Sequence, residues 1–172
     1  MKRVAFAGWS GSGKTNLIIR LIKYLKNNHN LNISTLKHAH KSFEVDKPNK
    51  DSNLHRKAGA KEVLISSSQR WVLMHELIDE IEPEVESLIE RVNHTDILFV
   101  EGWKTSKLKK IEVYRDVTKK PLLYKKDENI VAVATNNTSI IINKKIEALD
   151  IDDTSSIANF ILKSKIFDNQ KV

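Results

Sequence analysis

The sequence predicts an α/β fold with a mostly parallel central sheet. Two features carry this prediction: short apolar runs that alternate with helical patterns, and a glycine-rich turn after the first run. Residues 4–8 (VAFAG) form the first apolar run, and residues 96–102 (DILFVEG) form a strongly apolar run that ends in a carboxylate. Strands that are buried on both faces of a parallel sheet give such runs. Strands that alternate with helices along the chain are typical of this fold class.

The remaining elements follow from the same two periodicities. Apolar residues recur at helical spacing after residue 14, and a second helix is predicted over 52–60 with Ser52 as its N-cap. A third helix is predicted over 82–93, with Pro83 in its first turn. The last helix covers 152–165, where Asp153 or Thr154 is the predicted cap. Further strands are predicted over residues 32–39, 62–67, 70–74, 109–115 and 129–135.

Composition indicates a globular protein with an anionic partner. The chain has 172 residues, of which 40% are hydrophobic and 30% are charged, and this length fits one domain, predicted as residues 1–172. It contains no cysteine, which excludes disulfides and thiolate metal sites. No apolar run reaches the roughly 18 residues of a membrane span, so we expect a cytoplasmic protein without a membrane partner. The net charge is +7, and residues 103–126 hold nine Lys/Arg against two Asp/Glu.

The glycine-rich turn matches a phosphate-binding loop. Residues 8–15 read GWSGSGKT, which satisfies the P-loop (Walker A) pattern between an apolar strand and an amphipathic helix. Backbone N–H groups of such a loop surround phosphate oxygens, and the helix N-terminus adds partial positive charge. The loop residues Ser10, Gly11, Ser12 and Gly13 are therefore predicted to hold phosphates. Lys14 is predicted to reach the β- and γ-phosphates, and the Thr15 hydroxyl to bind Mg²⁺.

A P-loop protein also needs an acidic residue beside the metal, and Glu101 ends the strand that would supply it. Glu101 is predicted to act on Mg²⁺ through water, or on a nucleophilic water. Asp96, at the start of the same strand, is interpreted as structural. The base is less defined, because residues 133–138 (VATNNT) end a late strand without the aspartate that usually pairs with guanine. Asn136 or Asn137 could contact a purine edge or simply form a turn.

Several segments together resemble a known family, the molybdopterin-guanine dinucleotide biosynthesis protein B family, over roughly residues 3–135. The resemblance implies a P-loop NTPase-type three-layer fold with added antiparallel strands. It also implies a GTP-binding, generally dimeric protein with weak Mg²⁺-dependent GTPase activity. Members of the family are thought to assist a partner synthase that joins molybdopterin to GMP. The segments that carry the resemblance are GWSGSGKT, LKHAHKSFEVDKPNKDS, HRKAGA, SQRWVLM and ILFVEGWK.

The resemblance also implies site residues outside the P-loop. Asp46, Lys50, Asp51 and Ser52 would belong to a loop facing the nucleotide, with Asp46 near the metal, and Arg70 is a candidate phosphate contact. The family's usual Pro-Gly-Lys-Asp-Ser reads Pro-Asn-Lys-Asp-Ser here, with Asn49 in place of glycine. Asparagine tolerates a left-handed backbone better than most residues, so we expect the loop geometry to survive.

Other functions remain open on the sequence alone. His38 and His40, with His55 and Asp46, could form a metal site, although the chain offers no thiolates. The basic segment 103–126 could bind nucleic acid, but the sequence has 6% aromatic residues and no recognisable binding module, so no nucleic-acid partner is expected. A small-molecule or nucleotide kinase would share the P-loop. A non-enzymatic adaptor, in which hydrolysis is incidental, would share it too. Trp71 is predicted to lie in the core.

Overall fold

The computed structural model describes residues 1–168 and residue 170, which form two compact units. Of the described residues, the first unit contains 1–38, 85–168 and 170, and the second contains 39–84. In chain order the strands are β1 Lys2–Ala7, β2 Ile33–Lys37, β3 Glu62–Ser66, β4 Trp71–His75, β5 Ile97–Glu101, β6 Lys110–Tyr114, β7 Ile130–Thr135 and β8 Glu147–Asp150. The helices are α1 Lys14–His29, α2 Asp51–Lys57, α3 Val85–Ile89 and α4 Thr154–Lys163.

The first unit is built on a six-stranded sheet of order β2-β5-β1-β6-β7-β8, in which every neighbouring pair is parallel. Side chains alternate between its two faces, as the pleat requires. On one face Val4, Phe6 and Phe99 pack with α1 and α4, and on the other Ala5 and Leu98 pack with α3. Helices on both faces of a parallel sheet confirm the predicted α/β fold.

The second unit supplies the added antiparallel strands. β3 and β4 form a two-stranded antiparallel hairpin, in which Val63 opposes Met74 and Leu64 opposes Leu73. Val63 and Met74 are buried, whereas Leu64 and Leu73 are exposed, so one face of the hairpin is covered and the other is open. Trp71 shares the open face and is 70% exposed, so the prediction that it lies in the core is wrong. The domain prediction treats the chain as one domain and stays a prediction.

Some predicted element boundaries are also wrong. α2 begins at Asp51, with Lys50 at the cap position, so Ser52 does not cap it. At this end of the helix, the Asn49 N–H donates a hydrogen bond to the side chain of Asn53 at 3.3 Å. The predicted helix over 82–93 is too long at both ends, because α3 covers only Val85–Ile89. Beyond its C-terminal end the N–H of Arg91 bonds the carbonyl of Leu88 three residues back, in a tighter turn.

Three expectations hold. Asp153 caps α4, and its side chain accepts the Ser156 N–H at 2.9 Å. Asn49 has φ of 63°, so asparagine adopts the left-handed conformation expected of it. The Asp96 carboxylate accepts the Asn32 N–H at 2.8 Å, which is the structural role expected of it. Within residues 1–168 and 170, no helix has both the length and the apolar character needed to cross a membrane.

Candidate functional site

The glycine-rich loop lies between β1 and α1, at the carboxyl end of the parallel sheet. Gly8 has φ of 150°, and a Cβ there would lie 2.5 Å from the Val113 carbonyl oxygen of β6. Only glycine therefore lets the loop leave the sheet this close to β6. Ser12 is buried, and its hydroxyl has no hydrogen-bond partner among the described residues. Ser10 and Gly11 are exposed, and Gly13 stands at the cap position of α1, so the predicted loop residues surround one helix N-terminus.

Lys14 folds back over this loop. Its ammonium donates hydrogen bonds to the carbonyl oxygens of Gly8 at 2.8 Å and Trp9 at 2.9 Å. Burial lowers the pKa of Lys14, the Glu101 carboxylate opposes that effect, and the positive charges of Lys104 and Lys37 add to it. A partly buried cation among other cations favours an anion at this place.

Glu101 meets the start of α1 at the end of β5. The Thr15 hydroxyl donates to a Glu101 carboxylate oxygen at 3.3 Å, and the Lys37 ammonium lies 3.6 Å from the other carboxylate oxygen. The pairing of β2 with β5 places Lys37 directly beside Glu101. Gly102 follows with φ of 119°, and a Cβ there would lie 2.5 Å from the Cβ of His38. The absence of a side chain at Gly102 thus leaves room for His38, the residue after β2.

A hydroxyl and a carboxylate at this separation suit a small hard cation. Mg²⁺ prefers oxygen ligands and usually binds one or two protein oxygens together with phosphates and water. Thr15 and Glu101 fit that donor set. Within residues 1–168 and 170, no cluster of three or more His, Asp or Glu side chains is arranged to hold a metal ion. His40 instead hydrogen-bonds Ser42 at 2.8 Å, and the His38 ring packs on Trp103 with centroids 5.1 Å apart.

Two lysines beside the loop were not predicted individually. The ammonium of Lys104 lies 5.5 Å from the centroid of the Trp9 ring, and that of Lys120 lies 5.9 Å from it. The Trp9 indole N–H donates to the Pro121 carbonyl at 2.8 Å, so the ring is fixed against the basic segment. In the sequence, the excess of positive charge over residues 103–126 indicated these lysines only as part of a basic segment. It could not show that they converge on a residue of the P-loop.

Another group of polar side chains lies at the carboxyl ends of β6, β7 and β8. The Asn136 amide oxygen accepts the Asp116 N–H at 3.3 Å, and the Asn137 amide donates to the Asp116 carboxylate at 3.2 Å. Arg115 pairs with Asp152 at 3.2 Å. The two asparagines therefore form a turn that also holds an aspartate, which sequence reasoning missed.

The other predicted site residues lie in the second unit. The Asp46 carboxylate accepts from Arg56 at 3.1 Å and from Asn53 at 3.4 Å. Burial alone would raise the pKa of Asp46, but these hydrogen bonds outweigh it and leave the pKa below its usual value. Asp51 opens α2, and both it and Lys50 are exposed. Arg70 lies in the turn of the hairpin, where its carbonyl accepts from the Ser67 N–H. The structure thus brings Lys14, Thr15 and Glu101 together, whereas the site roles of these four residues stay predictions.

Known proteins match most of the chain. Residues 3–136 match the family described as Molybdopterin guanine dinucleotide synthesis protein B (MobB). A protein of Escherichia coli (strain K12), named molybdopterin-guanine dinucleotide biosynthesis adapter protein, is 37% identical over 163 residues, which cover 93% of this chain and 91% of that protein. The chain belongs to the MobB family. A Haemophilus influenzae protein of the same name is 36% identical over 160 residues, 92% of this chain and 86% of that protein.

The fold of this MobB family member also matches a solved structure. A crystal structure described as molybdopterin-guanine biosynthesis protein B (mobB) superimposes with a TM-score of 0.72. The alignment covers 93% of this chain and 96% of the other, at 24% sequence identity. The resemblance read from the sequence motifs is therefore confirmed, together with the fold it implied.

Proposed function

We propose that this MobB family member binds GTP·Mg²⁺ through residues 8–15, hydrolyses GTP slowly, and assists the attachment of GMP to molybdopterin. The observation that carries the proposal is the position of Lys14. Its ammonium is held inside the loop by two carbonyl oxygens, at the N-terminus of a 16-residue helix. Phosphate oxygens would replace or join those carbonyls as acceptors. The names of the relatives, which refer to molybdopterin-guanine dinucleotide biosynthesis, support the rest of the proposal.

Each residue of the loop has a defined part in this proposal. The helix N-terminus and the loop N–H groups bind phosphate oxygens, and Lys14 neutralises their charge. Thr15 and Glu101 hold Mg²⁺, which supplies charge neutralisation and orientation when bound. Lys37, beside Glu101, adds positive charge on the same side of the loop.

Slow hydrolysis follows from the same surroundings. Fast GTP hydrolysis depends on an arginine that stabilises transition-state charge and on a residue that positions water. The cations that lower the pKa of Lys14 are both lysines, and Arg115 is paired with Asp152. We propose that a partner synthase or a second subunit completes the site. Turnover that is unchanged when the synthase and molybdopterin are added would count against this.

A non-catalytic role is the second candidate, because the curated relatives are named adapter proteins. In that case bound GTP would deliver or position the nucleotide for the synthase without hydrolysis. GTP analogues in which only the β–γ bond resists hydrolysis separate the two, because their α–β bond can still break to transfer GMP and release the two terminal phosphates. They should support GMP attachment in the adapter case and stop it in the other. The cytoplasmic location stays a prediction.

We also propose a homodimer formed through the open face of the β3–β4 hairpin. Leu64 is 65% exposed and Trp71 is 70% exposed on that face. Large apolar side chains exposed together on one face of a two-stranded sheet favour association. Sedimentation should show a dimer for the wild-type protein and a monomer for Leu64→Lys. The control Ile81→Lys, at a position 92% exposed in the same unit, should stay dimeric. A wild-type monomer at tens of micromolar would refute the dimer.

The proposed function is tested by reconstitution. The purified chain, the partner synthase, molybdopterin and GTP·Mg²⁺ are combined, and the molybdopterin guanine dinucleotide formed is measured. The wild-type chain should raise the yield and Lys14→Ala should not. The control Lys23→Ala removes an exposed lysine from the same helix and should behave as wild type. A Lys14→Ala chain that supports the reaction as well as wild type would overturn the proposal.

A further inference from the structure

Three neighbouring strands of the parallel sheet end in one row. Tyr114 of β6 pairs with Thr135 of β7, and Thr135 pairs with Asp150 of β8. The chain then continues for two residues beyond each strand end, to Asp116, Asn137 and Asp152. In open parallel sheets, ligands bind beyond the carboxyl ends of the strands, which is where these three side chains stand.

Asp116 is held in a fixed orientation by the neighbouring strand end. Its N–H donates to the Asn136 amide oxygen, and one carboxylate oxygen, Oδ2, accepts from the Asn137 amide. Asn137 is itself fixed, because its N–H donates to the Thr135 hydroxyl at 3.2 Å and its amide oxygen accepts from Ser139 at 2.6 Å. The Asp116 carboxylate is therefore oriented by a network that links β6 and β7.

Two carboxylates lie beyond these strand ends, those of Asp116 and Asp152, and only that of Asp116 is free to accept hydrogen bonds from a ligand. Asp152 forms an ion pair with Arg115, so its charge is already balanced. Asp116 is exposed, forms no ion pair with the described residues, and its Oδ1 accepts no hydrogen bond from them. A carboxylate only accepts hydrogen bonds, so this arrangement is suited to a ligand that presents N–H donors.

The Asp116 carboxylate lies within reach of a nucleotide that is bound at the phosphate loop. β6 lies between β1, which leads into the loop, and β7. The Nε of Arg115, the residue before Asp116, lies 3.5 Å from where a Cβ of Gly13 would be. Neighbouring strands are about 4.8 Å apart, so the ends of β6 and β7 lie about one and two strand spacings from β1. A nucleotide held by the loop can extend along the sheet edge to Asp116.

We propose that Asp116 recognises the guanine base, with its carboxylate accepting hydrogen bonds from the ring N1–H and the 2-amino group. This inference rests on the proposed binding of GTP at residues 8–15. Guanine presents those two donors side by side, which matches the two oxygens of one carboxylate. Adenine presents a lone pair at N1 and carries no amino group at C2, so it would leave the carboxylate unpaired. The aspartate that the sequence lacks after β7 is thus supplied from the end of β6.

The test compares nucleotides that differ only at the base edge. Wild-type protein, Asp116→Asn and Asp116→Ala are titrated with GTP, ITP, XTP and ATP in the presence of Mg²⁺. ITP lacks the 2-amino group, and XTP carries a carbonyl oxygen in its place. An asparagine at 116 could donate to that oxygen and still accept from N1–H. The control Glu128→Gln removes an exposed carboxylate that precedes β7, at the opposite end of the sheet.

Wild type and Glu128→Gln should bind GTP in preference to ITP and ATP. Asp116→Ala should lose about 10- to 100-fold in GTP affinity, the range for hydrogen bonds to a charged group, and should bind GTP and ITP alike. Asp116→Asn should lose GTP affinity and gain XTP affinity. Both variants should keep their weak ATP affinity, which shows that the fold and the phosphate loop are intact.

The possible failures are distinguishable. If the wild-type protein binds no nucleoside triphosphate, the proposed function itself fails and the inference with it. If the wild type binds GTP but both Asp116 variants keep the same ratio of GTP to ATP affinity, the proposed function stands and the base assignment is overturned. Equal binding of GTP and ATP by the wild type would also overturn the base assignment while leaving the phosphate site in place.

Discussion

Replacing Gly8 with alanine tests how closely the phosphate loop is packed against the sheet. The added Cβ would lie 2.5 Å from the Val113 carbonyl oxygen and 2.8 Å from the Ser12 hydroxyl oxygen. Val113 and Ser12 are both buried, so neither atom can move aside without disturbing its surroundings. Gly11 provides a matched control, because its φ of 78° is also unfavourable for alanine but no atom beyond its two chain neighbours lies within 4 Å of its Cβ position.

The expected magnitudes follow from this difference. A left-handed backbone costs an alanine about 1–2 kcal/mol, which is the whole effect expected for Gly11→Ala. Gly8→Ala carries a similar cost and adds overpacking of about 1–3 kcal/mol, so its expected loss is about 2–5 kcal/mol. Alanine also restricts the unfolded chain, but it does so equally at both positions, so this contribution cancels in the comparison.

The assay is urea unfolding followed by far-ultraviolet circular dichroism. Gly8→Ala should unfold at a lower urea concentration than Gly11→Ala, with a difference in unfolding free energy of about 1–3 kcal/mol. Equal destabilisation by the two substitutions would show that the loop does not press against β6 as described. Nucleotide titration of Gly8→Ala, at a temperature where it stays folded, should also show weakened binding.

Three further predictions concern the core, the second unit and the site. Leu21→Ala, in a fully buried position of α1, should cost about 2–5 kcal/mol in urea unfolding, and a loss near zero would contradict its place in the core. Hydrogen bonds to Glu62 and Glu80 raise the pKa of His75, so its stabilising effect is complete below pH 6.5 and is lost as pH rises through the raised pKa. The stability difference between wild type and His75→Gln should therefore shrink from pH 6 to pH 9, and a difference that grows would refute this sign. Because burial lowers the pKa of Lys14, GTP affinity should fall at a lower pH than the loss of charge on an ordinary lysine would cause, and calorimetry at alkaline pH should record proton uptake on binding. A GTP affinity that falls no earlier than an ordinary lysine deprotonates would contradict this.

The local features of the fold could be predicted from the sequence. The loop between β1 and α1 has a fixed glycine and lysine spacing, and the helix that follows has a clear apolar stripe, so both are determined by neighbouring residues. β8 was missed because its four residues, Glu147–Asp150, are too few to show a strand period. Its pairing with β7 forms the strand, and that contact is not visible in a short segment.

Some residues of the candidate site could likewise be predicted from the sequence, and others could not. Lys14, Thr15 and Glu101 could be predicted because a motif and a strand end mark them. Asp116 could not, because it reaches Asn137 across 21 residues of sequence and from a different strand. Trp71 was misplaced for a related reason: an apolar strand predicts burial, but a two-stranded hairpin covers only one of its faces.

The central claim is that Lys14 and its loop bind GTP·Mg²⁺, and calorimetric titration tests it most directly. Wild-type protein, Lys14→Ala and the control Lys23→Ala are titrated with GTP in the presence and absence of Mg²⁺. We expect the wild type and Lys23→Ala to bind GTP more tightly with Mg²⁺, and Lys14→Ala to lose most of its affinity while unfolding normally in urea. Titration curves for Lys14→Ala that match those of the wild type would contradict the claim.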